Sequence, residues 1–168
     1  VELVVSVPSG VVTVIPPVGT RAAGWTRTFR QLPQPAYPLG APGIGDLDGD
    51  GKPEIVICVV SGSAPTRNYL FALRLDGSDL PGWPVEVRSR EAGYYACTPA
   101  GVLLADLDGD GSKDVVRGMT GGELVAFDGR GRPLAGWPVR LGPDRLGRRK
   151  EINAEMTAID LEGDAARI

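Results

Sequence analysis

Apolar residues along the chain fall in short runs broken by Gly, Pro and Asp. Glu54-Ile55-Val56-Ile57-Cys58-Val59-Val60 is a β-branched run suited to a strand buried on both faces. Asn68 to Leu75 alternates apolar and polar positions over part of its length, the two-residue period of a strand. Val102 to Ala105, Val115-Val116 and Glu123 to Phe127 read as further strands. Asp76-Gly77 and Asp128-Gly129 are turn dipeptides, each leading into Gly-Trp-Pro-Val. No window of a dozen residues has helical spacing, so the pattern predicts an all-β chain with about four short strands per unit.

The units repeat. Gly45-Asp46-Leu47-Asp48-Gly49-Asp50-Gly51 returns sixty residues later as Ala105-Asp106-Leu107-Asp108-Gly109-Asp110-Gly111. A decayed copy, Ile159-Asp160-Leu161-Glu162-Gly163-Asp164-Ala165, follows after another 54. Leu80-Pro81-Gly82-Trp83-Pro84-Val85 matches Leu134-Ala135-Gly136-Trp137-Pro138-Val139 at the same 54, with Gly24-Trp25 a weaker forerunner. Two markers in step define a unit of 54–60 residues. Glu2-Leu3-Val4-Val5 aligns with Glu54-Ile55-Val56-Ile57, which divides the chain into four parts. Residues 1–36 are a partial unit without an acidic loop, 37–94 a unit with loop 46–54, 95–148 a unit with loop 106–114, and 149–168 the start of another with loop 160–168. The expectation is a piece of a longer protein.

Composition sharpens this picture at a few points. Gly 24 and Pro 15 are about double the usual share and agree with many tight turns. The chain has no His, which removes Ser-His and Cys-His nucleophilic machinery and the commonest zinc sites. No apolar run approaches the roughly 18 residues of a membrane helix. A net charge of −3 argues against nucleic acid as the main partner. That charge is not diffuse: eleven of the 21 acids lie in the three loops, and without them ten acids would face 18 bases.

Carboxylates at alternate positions of a tight loop converge on one point and repel unless a cation neutralises them. Hard oxygen donors in that number select Ca²⁺, and Gly51 permits the turn. The expected ligands are Asp46, Asp48, Asp50 and Glu54 with the Lys52 carbonyl, and Asp106, Asp108, Asp110 and Asp114 with the Ser112 carbonyl. Asp160, Glu162 and Asp164 form a weaker set, with Ala165 in place of the turn Gly and Ile168 at position nine. Two Ca²⁺ are expected, a third if the last loop binds. An EF-hand is excluded, because its position-twelve Glu is replaced by Ile57 and Arg117 within strands. The competing reading is a set of Asp-Gly turns with solvated acids, and near-identical duplication weighs against it.

A β-rich strand, then D-x-D-G-D-G-x-x-[DE]-[IV]-V, then a hairpin resembles the FG-GAP (VCBS, integrin-α-type) repeats. The resemblance rests on Asp46, Asp48, Asp50, Glu54, Asp106, Asp108, Asp110 and Asp114 and extends over nearly the whole chain. It implies a β-propeller, one blade of four antiparallel strands per repeat, with calcium between the first two strands. The D-G-x-x-L-x-G-W-P-V element is similar to bacterial and archaeal surface proteins with such repeats. The resemblance thus implies an extracellular or cell-surface scaffold for binding or adhesion, with a protein or glycan as partner. A secreted carbohydrate-active enzyme of polysaccharide-lyase type, or a lectin, is the alternative. About three blades fall short of the usual four to eight, so further blades lie outside this segment or chains associate head-to-tail.

Trp83 and Trp137, repeated in register, suit packing between units better than a sugar-stacking surface. Cys58 and Cys97 lie in different units and allow either a disulfide tying neighbours together or two buried thiols. Arg145, Arg148, Arg149 and Lys150 suit a solvated loop, and Tyr94-Tyr95 a packing role. No catalytic constellation emerges from the spacing.

Overall fold

The structure is a computed structural model that describes residues 3–7, 10–16, 24–63, 66–88, 97–143, 145–147, 152 and 155–158. Loop 160–168, Tyr94-Tyr95, Arg148, Arg149 and Lys150 lie outside the described residues. Eleven strands and no helix are found among the described residues. They form three antiparallel sheets of sequential strands. The first contains β1 (Leu3–Val7), β2 (Val11–Ile15) and β3 (Trp25–Thr28). The second contains β4 (Ala36–Gly45), β5 (Glu54–Ser61), β6 (Arg67–Leu73) and β7 (Val85–Val87). The third contains β8 (Cys97–Ala105), β9 (Asp114–Met119), β10 (Glu123–Phe127) and β11 (Val139–Arg140). These are propeller-like blades, and the three do not close into a ring.

Alternation along β5 shows why the sheets stack. Ile55, Ile57 and Val59 face the first sheet, where they meet Val12, Val14 and Phe29. Val56 and Cys58, pointing the opposite way, enter a second core with Val115, Met119 and Phe127 of the third sheet. All eight residues of β5 are buried, so this strand needs a neighbour on each side. The strand β6 ends at Leu73, two residues before the apolar pattern does. Arg74–Ser78 closes a turn there through Arg74 N–H to the Ser78 carbonyl (2.8 Å) and Gly77 N–H to the Arg74 carbonyl (2.9 Å).

Three further devices join the sheets. The first is a tryptophan bond made twice. Trp25 Nε1 donates to the Leu75 carbonyl at 2.6 Å, and Trp83 Nε1 donates to the Gly129 carbonyl at 3.0 Å. Leu75 and Gly129 occupy the same place in equivalent turns, each the residue after the turn's first. Gly129 has no alternative: a Cβ there would collide with the Leu47 carbonyl. The second device is the Cys58–Cys97 disulfide, which joins β5 to β8 and resolves the alternative left open by the sequence. The third is Arg117, fully buried in β9. The pairing of β4 with β5 shifts register between Leu39 and Gly43, and that of β8 with β9 between Cys97 and Val102. Such bulges free carbonyls from the ladder. The Arg117 guanidinium takes up three of them, from Thr98, Ala100 and Leu39, and so ties the two sheets together. Burial lowers the Arg117 pKa to about 10, which leaves it charged at neutral pH.

The outer face of the third sheet repeats the covered face of the second. Leu107, Val116, Leu124, Trp137 and Leu141 line a groove of about 450 Å³. Their counterparts Leu47, Val56, Leu70, Trp83 and Val87 are core residues between the second and third sheets. Ile152 and Met156 lie along the same groove.

Trp83→Phe deletes the donor and shrinks the ring, leaving the buried Gly129 carbonyl unpaired and a void in the core. Urea denaturation should show a loss of about 2–4 kcal/mol, the hydrogen bond and the cavity together. The disulfide closes a loop with sequence separation 39, for which chain entropy gives about 4 kcal/mol. Denaturation of the Cys58→Ala/Cys97→Ala protein should reveal a deficit of that order.

Candidate metal centre

Each acidic loop connects the first two strands of a four-stranded sheet, β4 to β5 and β8 to β9. The two loops share one hydrogen-bond scheme. Asp46 takes Gly49 N–H on one oxygen (2.8 Å) and Gly51 N–H on the other (2.9 Å). Asp106 does the same with Gly109 (2.7 Å) and Gly111 (3.0 Å). Asp48 accepts from Asp50 N–H and Asp108 from Asp110 N–H, both at 3.2 Å. Asp50 accepts from Lys52 N–H and Asp110 from Ser112 N–H, both at 2.8 Å. The acid at position nine closes the loop back on its start: Glu54 Oε2 takes Leu47 N–H at 2.9 Å, and Asp114 Oδ2 takes Leu107 N–H at 2.7 Å. Gly51 and Gly111 sit at φ of +82° and +91° in open space, so backbone conformation and not crowding calls for glycine there.

Carboxylates converge in both loops. One oxygen each from Asp46, Asp48 and Asp50 lies within 4.8 Å of the others, and so does one each from Asp106, Asp108 and Asp114. Glu54 and Asp110 are not among these convergent groups. Lys52 and Ser112 enter the hydrogen-bond scheme through their N–H groups. The third set, Asp160, Glu162 and Asp164, lies outside the described residues. Oxygens that all lie within 4.8 Å of one another can share one Ca²⁺, whose bonds of about 2.3–2.6 Å reach oxygens up to about 5 Å apart. The donor set of both loops therefore fits a calcium ion.

The position-nine acids are unfavourably placed as bare anions. Asp114 is buried, with 2% of its surface exposed. Burial raises its pKa from 3.8 to about 6 against the Leu107 hydrogen bond, and the charges of Asp108, Asp110 and Asp106 add to the rise. Glu54 is shifted upward by the same causes: burial first, then Asp48, Asp50 and Asp46, with Leu47 N–H opposing. Sequence spacing did not indicate Arg74. It lies in the turn after β6, and its Nη2 comes 3.8 Å from Asp48 Oδ2. Only the fold brings this turn beside the loop, and no motif marks it.

Stacked four-stranded antiparallel sheets, each entered through an acidic loop between its first two strands, define a propeller-type repeat protein. The FG-GAP-like repeat family matches residues 46–117, a stretch that begins with the first loop and takes in the whole of the second. Residues 46–117 are thus FG-GAP-type repeat sequence. No curated protein matches it.

The Asp114 shift has a definite sign. Its folded pKa lies above the unfolded one, so the folded state holds this proton more tightly. Its contribution to stability is then lost as pH rises from about 4 through about 6. Metal-stripped wild type should therefore gain stability between pH 7 and pH 5 relative to Asp114→Asn, and the variant should be the more stable of the two at pH 7. Urea denaturation at pH 5, 6 and 7 measures the difference; a constant gap across that range would contradict it.

Proposed function

We propose that this chain is a calcium-binding β-propeller segment of an extracellular or cell-surface protein, serving as a scaffold for binding or adhesion to a protein or glycan. The observation that carries the reading is the duplicated loop, with the same hydrogen bonds and convergent carboxylates at the same place in two sheets. Asp46, Asp48, Asp50 and Glu54 with the Lys52 carbonyl hold one ion. Asp106, Asp108, Asp110 and Asp114 with the Ser112 carbonyl hold another. Glu54 and Asp110 stand outside the convergent groups and turn inward when the ion binds.

Calcium supplies the positive charge that each loop lacks and so locks the β4–β5 and β8–β9 connections. The loops present a rigid surface to a partner, while the ion itself performs no chemistry. A buried disulfide agrees with an oxidising compartment, and FG-GAP-like repeats are typical of extracellular proteins.

Ligand binding to the folded state alone stabilises it by about 2.7 kcal/mol per site at a hundredfold excess over Kd. At about 2–4 °C per kcal/mol for a chain of this size, calcium should raise the melting temperature by about 5–10 °C per site. Scanning calorimetry in EGTA and in millimolar CaCl₂ tests this. Identical melting curves would remove calcium from the reading.

A further inference from the structure

We propose that the two acidic loops are unequal cation sites, because the first carries its own counter-ions, Lys52 and Arg74, and the second carries none among the described residues. The inference rests on the calcium reading above and adds an order of filling. In the first loop, Lys52 Nζ lies 3.2 Å from Asp50 Oδ2, and Arg74 Nη2 lies 3.8 Å from Asp48 Oδ2. Two of the three convergent carboxylates are thus already paired with cations of the chain itself.

The corresponding positions of the second loop are not cationic. Lys52 is replaced by Ser112, sixty residues on. Arg74 opens the turn that Asp128 opens 54 residues later, and the two turns close with the same hydrogen bonds. Asp128 is an acid whose oxygens are held by Arg132 Nε at 2.7 Å and by the N–H groups of Arg130 and Arg132. Lys113, the cation inside the second loop, makes no ion pair with its carboxylates among the described residues.

Burial points the same way. The difference lies at the first position, where Asp106 is buried and Asp46 half-buried; Asp48, Asp50, Asp108 and Asp110 are exposed, and Glu54 and Asp114 are both buried. A cation entering the second loop relieves buried charge that nothing else offsets. One entering the first must displace a lysine and an arginine from oxygens it needs. Calcium therefore fills loop 106–114 first, and loop 46–54 responds only at higher concentration.

Titration calorimetry of the metal-stripped chain with CaCl₂ is the test, on wild type, Arg74→Gln, Lys52→Ser and the double variant. Lys52 is exposed and Arg74 half-buried at the surface, and neither belongs to the core, so the variants retain the fold. Wild type should bind in two steps separated by about tenfold or more. Each exposed pair removed should tighten the weaker step about two- to fivefold, and the double variant should bring the steps close together. Added salt should narrow the wild-type gap, since exposed pairs are screened. Asp114→Asn assigns the steps, because it should abolish the tight one and spare the weak one. A single class of two equal sites, or a weak step unmoved in the double variant, overturns the inference while leaving calcium binding intact. No binding heat in any protein instead overturns the calcium reading itself.

Discussion

The burial of β5 on both faces is the constraint on which the rest of the structure depends. A strand with Ile55, Ile57 and Val59 on one side and Val56 and Cys58 on the other cannot be satisfied by a single layer. Its sheet must lie between two others, and every joining device follows from that placement. Trp25 and Trp83 reach across to turns in the next sheet, Cys58 reaches Cys97, and Arg117 gathers carbonyls from two sheets. The polar bonds do not drive the stacking; they satisfy groups that apolar burial has removed from water. Arg117 shows the difference. Its guanidinium is tolerated at full burial because the bulges in β4 and β8 have freed carbonyls to receive it.

Much of this was legible in the sequence because it is local. The β-branched run Glu54–Val60, the turn dipeptides Asp76-Gly77 and Asp128-Gly129, and the spacing of the acidic loops depend on neighbours within a few residues. The four-strand unit and its repeat follow from them. What was illegible depends on contacts between units. Cys58 and Cys97 occupy non-equivalent positions, so periodicity had nothing to say about their pairing. Arg117 reads in the sequence only as a charge interrupting Val115-Val116 and Gly118-Met119, and its role depends on two bulges that no residue type announces. Arg74 belongs to one turn and acts on another loop. The candidate site was legible in its residue types and spacing, less so in its geometry: Glu54 and Asp110 stand apart from the convergent groups.

The acidic loops pose an electrostatic problem that each solves in part by itself. Asp46 and Asp106 use both oxygens on backbone N–H groups, and the acid at position nine pins the loop's entrance to the strand that follows. These bonds shape the loop without lowering its charge. Asp114 shows what remains, since burial and three neighbouring acids outweigh its hydrogen bond and hold its proton to about pH 6. The loop's shape is thus supplied by the chain, while its neutrality depends on a cation.

The tryptophan bonds give the stack a direction. In both described cases the indole N–H points forward along the chain, from one sheet to a turn carbonyl of the next. In the second sheet the donor, Trp83, and the acceptor, the Leu75 carbonyl, therefore lie on opposite faces. Two copies meeting through a single shared face would set donor against donor and leave both unanswered. A self-complementary, twofold dimer is accordingly disfavoured at the Trp137 face, and only a one-way succession of sheets reproduces the bond. Growth by repetition is written into the polarity of a single N–H group.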